Sequence, residues 1–134
     1  MKLIKRDTDY AVRAVCYMAN KKGSIVSVSE MVKELKIPRP FLRKILQRLN
    51  REGMLSSYKG VGGGFKLAKA AKEIFITDLI EIFQGKFKLN ECLFKKKNCP
   101  NVKYCALKRR IDKLEAHVVS ELNSVTIDEL IKER

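Results

Sequence analysis

Ile37-Pro38-Arg39-Pro40 constrains the fold of this chain more than any other stretch. Proline lacks a backbone N–H and its ring clashes with the preceding turn, so no helix runs through this tetrapeptide. Proline does suit the first turn of a new helix. Both flanks carry helical apolar spacing. Upstream, Val28, Met31, Val32 and Leu35 form a stripe one face wide, ending near Lys36. It opens on Ser27-Val28-Ser29-Glu30, a capping box in which Ser27 can bond the Glu30 amide and Glu30 can reach back. Downstream, Leu42, Ile45, Leu46 and Leu49 give a buried face to a helix from about Pro40 to Arg51. Steps of about 100° per residue put Pro40, Lys44, Gln47 and Arg51 opposite that face, with Arg43 and Arg48 flanking. Two short helices joined by a tight turn are expected.

That pair has the form of a helix-turn-helix. Arg and Lys pair with guanine O6/N7, and Gln with adenine, in a major groove that admits one helix. Arg39, Pro40, Arg43, Lys44, Gln47, Arg48 and Arg51 are therefore candidate contacts to double-stranded DNA. A merely solvated helix face would look the same, and the next segment separates the two readings. Gly53 closes the helix, Leu55-Ser56-Ser57-Tyr58 reads as a short strand and Phe65-Lys66-Leu67 as its return. Between them, Lys59-Gly60-Val61-Gly62-Gly63-Gly64 is a glycine-rich turn. Alone it could be a flexible linker. Directly after a helix-turn-helix it reads better as a wing, with Lys59, Gly60, Gly62 and Gly63 approaching phosphates or a minor groove. No Gly-Lys-Ser/Thr follows the glycines, which disfavours a nucleotide-binding loop.

Charge agrees with such a partner. The formal net charge is +14 over 134 residues, an excess usually kept for a polyanion. A membrane is disfavoured, because no apolar run approaches the roughly 18 residues of a span and Met1–Asp7 lacks the apolar core of a signal peptide. A cytoplasmic location is expected.

The remaining elements frame this module. A first helix from about Asp7 or Thr8 to Asn20 has Asp7, Thr8 and Asp9 as N-cap candidates. Its apolar stripe is Val12, Val15, Cys16 and Ala19, which makes Cys16 a core thiol. Thr77 can cap a helix from Asp78 to Gln84, ended by Gly85. The longest helix runs from Val102 or Lys103 to about Asn123. Its Leu107, Ile111, Leu114, Val118 and Leu122 recur at spacings of four and three, the seam of a coiled-coil-like contact, so a homodimer is expected. Thr126-Ile127-Asp128-Glu129 opens a terminal helix with Leu130 and Ile131 apolar. The fold class is mainly α with a small β-hairpin wing: a winged helix-turn-helix plus a long dimerisation helix. The expected division is a DNA-binding domain over 1–85, a cysteine-rich loop over 86–106, and dimerisation and C-terminal helices over 103–134.

Cys92, Cys99 and Cys105 stand within fourteen residues, flanked by Lys95, Lys96, Lys97, Lys103, Lys108, Arg109 and Arg110. Their spacing is not the C-x2-C pairing of structural zinc, and three is an odd number for disulfides. Thiolates are the ligands of iron–sulfur clusters, which commonly take four protein ligands. The basic flanks would stabilise an anionic cluster, although lysines also simply keep a loop solvated. Zinc and a metal-free thiol switch stay open beside the cluster. An enzyme is not expected, since one histidine and no acid/base pair at telling spacing leave little to catalyse with. A different class, an electron-transfer or cluster-carrier protein, shares the thiols.

Thr8-Asp9-Tyr10-Ala11-Val12-Arg13, the wing Lys59–Phe65, Ile76-Thr77-Asp78-Leu79-Ile80 and the three-cysteine segment occur in that order. In this combination the chain resembles the IscR/NsrR/CymR family of bacterial winged-helix regulators (the Rrf-two family), over residues 1–132. The resemblance implies a transcription regulator, expected to act as a repressor. An iron–sulfur cluster, 2Fe–2S or 4Fe–4S, would control operator binding in response to nitric oxide, redox state or iron and sulfur supply. CymR-like relatives imply the alternative, a cluster-free regulator answering a metabolite or protein partner. IscR-type relatives take a histidine two or three residues after the third cysteine, but here those positions are Leu107 and Lys108. His117 lies twelve residues beyond Cys105, about 18 Å along one helix, too far to close the same site. NsrR-type relatives use an aspartate from the first helix of the other subunit, which matches Asp9. Glu91 and an external thiol or water compete for that role. The spacing also departs by one residue from the commoner C-x5-C-x5-C, which leaves the cluster's nuclearity open.

Overall fold

A computed structural model describes residues 3–88 and 105–133. Six α-helices and one hairpin are laid out as α1 (Arg6–Asn20), α2 (Val28–Leu35), α3 (Arg39–Arg51), β1 (Leu55–Tyr58), β2 (Gly64–Leu67), α4 (Ile76–Gln84), α5 (Ala106–Asn123) and α6 (Ile127–Lys132). A short 3-10 turn at Ala71–Glu73 precedes α4. The expected mainly helical winged architecture is present.

The helix-turn-helix forms around the prolines. Glu30 donates its amide to Ser27 Oγ at 3.0 Å, the forward half of the expected capping box. Lys36 adopts the left-handed conformation at φ 56° and ends α2, and Pro40 occupies the first turn of α3. Leu42, Ile45, Leu46 and Leu49 are all buried, as their spacing requires. Truncating one of these, such as Leu46→Ala, costs about 2–5 kcal/mol, because a packed core collapses only partly around the hole.

The hairpin is antiparallel, with Leu55 opposite Leu67 and Tyr58 opposite Gly64. A third segment that the sequence did not announce joins it. Val26 and Phe65 exchange two backbone hydrogen bonds, at 2.8 and 2.9 Å, so the approach to α2 runs along the outer edge of β2. Gly64 permits this contact, because a Cβ there would sit 2.2 Å from the Val26 carbonyl oxygen. The wing is thus fastened to the helix-turn-helix by main chain.

Helix α1 lies at the centre, against α3, α4 and α6. Its buried face differs from the expected one: Thr8, Ala11, Ala14, Val15 and Met18 are buried, while Val12, Cys16 and Ala19 are half-buried at its flank. Small Ala11 and Ala14 let neighbouring helices approach closely, and hydropathy alone ranks them below Val12. Its N-cap also differs. Lys5 holds that position with no side-chain cap, leaving Asp7 and Asp9 inside the first turn, where their negative charge is favoured at the positive end of the helix dipole.

Helix α4 starts earlier than expected, at Ile76. Phe75 donates its N–H to Asp78 Oδ2 at 2.9 Å, so Asp78 closes the first turn and Thr77 lies within it. The same strand-like stretch holds the C-terminus: Ile76 N–H donates to the Val125 carbonyl and Ile127 N–H to the Ile74 carbonyl, at 3.1 and 2.9 Å. Helix α6 is thereby returned onto α1, with Ile127 fully buried. Helix α5 packs mainly on α4 and buries no residue within this chain.

Candidate nucleic-acid interface and cysteine segment

One side of α3 is anchored and the other is free. Arg39, Pro40, Arg43, Lys44, Gln47, Arg48 and Arg51 are all exposed, opposite the four buried aliphatic residues. Two of these cations have neighbours inside the chain. Arg39 Nη2 donates to Ser29 Oγ at 3.1 Å, bridging the two helices of the motif. Arg48 pairs with Glu52 at 3.3 Å and lines a shallow recess shared with Asp78 and Glu81, on the α4 side. Arg43, Lys44, Gln47 and Arg51 stand clear of that recess.

The wing projects from the same body. Lys59, Gly60 and Gly62 are exposed and Gly63 is half-buried. Gly63 closes the turn: its amide donates to the Gly60 carbonyl at 3.0 Å, and a Cβ would lie 2.3 Å from the Tyr58 carbonyl oxygen. Val61 at the tip is wholly exposed, and Lys66 Nζ lies 5.4 Å from the centroid of the Tyr58 ring.

A polar staple holds α2 to α1. Tyr17 donates its hydroxyl to Glu30 Oε2, and Lys21 approaches the same oxygen at 3.4 Å. The Tyr17 hydrogen bond holds the Glu30 carboxyl below its ordinary value, with Lys21 assisting. The same bond to Glu30 raises the Tyr17 phenol, and hydrogen bonds to Tyr17 and Glu30 raise Lys21. This staple explains why Glu30 does not complete the capping box: its carboxylate is turned toward α1.

Of the three clustered thiols, Cys105 is described, while Cys92, Cys99 and the competing Glu91 lie outside the described residues. Cys105 is half-buried at the N-cap of α5, and its Sγ accepts the Lys108 N–H at 3.4 Å. A sulfur there faces the positive end of the helix dipole, with Lys108, Arg109 and Arg110 in the first turns. Asp9 is half-buried, and its Oδ2 is paired with Arg13 at 3.0 Å. No group of three or more His, Cys, Asp or Glu gathers around a metal position among the described residues.

Comparison with known proteins decides the family. The profile described as "Rrf2: Iron-dependent Transcriptional regulator" matches residues 4–133. The chain belongs to the Rrf2 family of transcriptional regulators. An HTH-type transcriptional regulator of Aquifex aeolicus is 36% identical over 124 residues, covering 91% of this chain and 86% of that protein. The regulator NsrR of Oceanobacillus iheyensis is 33% identical over 131 residues, covering 96% and 89%. Among solved structures, CymR, the global cysteine regulator of B. subtilis, superposes with a TM-score of 0.82 at 21% identity, covering 100% of this chain and 99% of its own. That likeness is one of fold.

Two tertiary contacts of this Rrf2 protein carry no sequence signal. The Arg6 guanidinium lies 4.4 Å from the Phe41 ring centroid, joining α1 to the first turn of α3. Gln84, at the end of α4, bonds the backbone just before α1. Each is a meeting of residues distant in the chain. No helix among the described residues is long and apolar enough to cross a membrane.

Proposed function

We propose that this Rrf2 regulator is a homodimeric repressor whose grip on operator DNA is set by an iron–sulfur cluster on Cys92, Cys99 and Cys105. The observation that carries the DNA assignment is the two-sided character of α3, an aliphatic face locked in the core and a cationic face left open. Arg43, Lys44 and Gln47 read base edges in the major groove, with Arg39, Pro40, Arg48 and Arg51 around them. Lys59, Gly60, Gly62 and Gly63 of the wing meet the backbone or the minor groove. Such binding acts on chromosomal DNA in the cytoplasm.

The donor set suits a thiolate-ligated anionic group. Cys105 presents sulfur at the head of α5, where the helix dipole and a run of cations favour negative charge. Asp9 of the partner subunit would be the fourth ligand ahead of Glu91 or an external thiol or water, its carboxylate leaving Arg13 to take that role. A cluster held there would offer thiolate ligation that nitric oxide, oxidation or iron shortage could break. Ligation orders the chain around it, and it changes DNA affinity only as far as it favours one dimer geometry over another.

Dimerisation through α5 completes the site. Leu107 and Leu114 are 71% and 53% exposed, on a stripe continued by Ile111, Val118 and Leu122. Ile111, Val118 and Leu122 are half-buried, and a second copy laid along the stripe would cover the exposed Leu107 and Leu114. In functional terms residues 1–85 read DNA, 86–106 sense, and 103–134 pair the subunits.

Binding-site selection, followed by affinity measurement with loaded and iron-stripped protein, tests the proposal. A preferred duplex whose affinity depends on the loading state is expected. A cluster-free regulator of the CymR kind would instead keep its regulation after all three segment cysteines are replaced. An electron carrier would select no sequence.

A further inference from the structure

The first turn of α3 is braced from outside the helix-turn-helix. Phe41 is 38% exposed, and the Arg6 guanidinium covers its ring at 4.4 Å from the centroid. A cation over an aromatic face is sensitive to position, because the attraction follows the ring quadrupole. Arg6 is the first residue of α1, and the Gln84 side chain grips the backbone just before it. Gln84 Oε1 accepts the Lys5 N–H at 2.8 Å, and Gln84 Nε2 donates to the Leu3 carbonyl at 3.3 Å. A primary amide carries acceptor and donor side by side, so Gln84 grips this backbone as a neighbouring strand would. Lys5 is the N-cap of α1 and has no side-chain cap of its own.

Gln84 is also the last residue of α4. Gly85 follows at φ 77°, and the chain then enters the segment that carries Cys92 and Cys99. One side chain therefore joins the base of the cysteine segment to the start of α1, and the next contact joins that start to α3. We propose that Gln84, Arg6 and Phe41 are positioning residues that tie the setting of the recognition helix to the end of α4, and so to the cysteine segment. The aliphatic core pins the axis of α3, while this exposed brace acts on its first turn, beside Arg43 and Lys44. The inference rests on α3 reading DNA and on the cysteine segment being the sensor. Coupling of this kind needs both ends to differ between two states, so its warrant is a measured non-additivity.

The test uses full-length protein purified without oxygen and an operator duplex selected from a random pool. Gln84→Ala and Phe41→Leu should each weaken operator binding by roughly two- to thirtyfold, leaving non-specific affinity and its salt dependence unchanged. Phe41→Tyr, which keeps the ring, should retain operator affinity. The double variant Gln84→Ala/Phe41→Leu should lose no more than the worse single change. In Gln84→Ala the affinity ratio between iron-loaded and iron-stripped protein should move toward one at unchanged iron and sulfide content. Full operator affinity in Phe41→Leu, additive losses in the double variant, or losses that track a lowered thermal midpoint would overturn the proposal. The premises fail separately: Arg43→Ala with unaltered base preference removes the assignment of α3, and unchanged protein without iron removes the sensor. If only the sensor premise fails, the single and double operator affinities still decide whether Gln84, Arg6 and Phe41 brace α3.

Discussion

The Tyr17 hydroxyl donates to the Glu30 carboxylate, so the last turn of α1 holds the first turn of α2, and Lys21 closes on the same oxygen at 3.4 Å. The geometry sets a pH dependence. Glu30 titrates below its ordinary 4.5 in the folded chain, so its contribution is present above the unfolded value and is lost as pH falls through the folded one. Tyr17 and Lys21 are raised, and their contributions fade only as pH climbs through those raised values. Tyr17→Phe should lower the unfolding midpoint at neutral pH and flatten the acid limb of the stability curve. Urea titrations from pH 3 to 8 check this, and superimposable curves for the two proteins would contradict it.

Gly64 is the point where the wing meets the segment before α2. Gly64→Ala should destabilise the fold by about 2–3 kcal/mol, because the added Cβ lies 2.2 Å from the Val26 carbonyl and 2.9 Å from Ser27 Cα, both main chain. Denaturant unfolding measures the loss. A change within experimental error would mean that Val26 does not pair with Phe65.

Lys59 and Arg43 should fail in different ways. Lys59→Ala should weaken binding to every duplex and lower the salt slope by about one counterion. Arg43→Ala should cost about 1–3 kcal/mol at particular base pairs and leave the salt slope nearly unchanged. Affinities on a mutated operator series at two salt concentrations separate the two. A uniform loss for Arg43→Ala would remove its base-reading role.

In the proposed assembly the two copies pair along the stripe on α5. Leu114→Lys should convert dimer to monomer in sedimentation experiments, since it places a charge in the middle of an apolar seam. The thermal midpoint should fall less than for a core substitution, because Leu114 is 53% exposed within its own chain. A dimer of undiminished affinity would assign pairing to another surface.

What the sequence revealed followed how local each signal was. Pro38 and Pro40, the Leu42–Leu49 stripe and the glycine run are nearest-neighbour patterns, and helices α2 and α3 and the hairpin follow from them directly. The buried face of α1 departs from its hydropathy pattern because Ala11 and Ala14 serve close helix approach, which hydropathy does not register. The start of α4 departs from the Thr77 expectation because its cap depends on Asp78 reaching back to Phe75. The Val26–Phe65 bridge, the Glu30 staple and the Gln84 clamp join residues far apart in sequence and needed the fold. Of the thiols, the sequence supplies the spacing and the fold supplies the placement of Cys105 at the head of α5.

The central claim is that the three cysteines hold a cluster. Iron, acid-labile sulfide and zinc should be determined on protein purified without oxygen, together with its visible spectrum. Stoichiometric iron and sulfide with broad sulfur-to-iron charge-transfer absorption are expected, lost when Cys92, Cys99 or Cys105 is replaced by Ala and weakened in Asp9→Ala. Colourless protein carrying one zinc per subunit, or no metal at all, would contradict the claim.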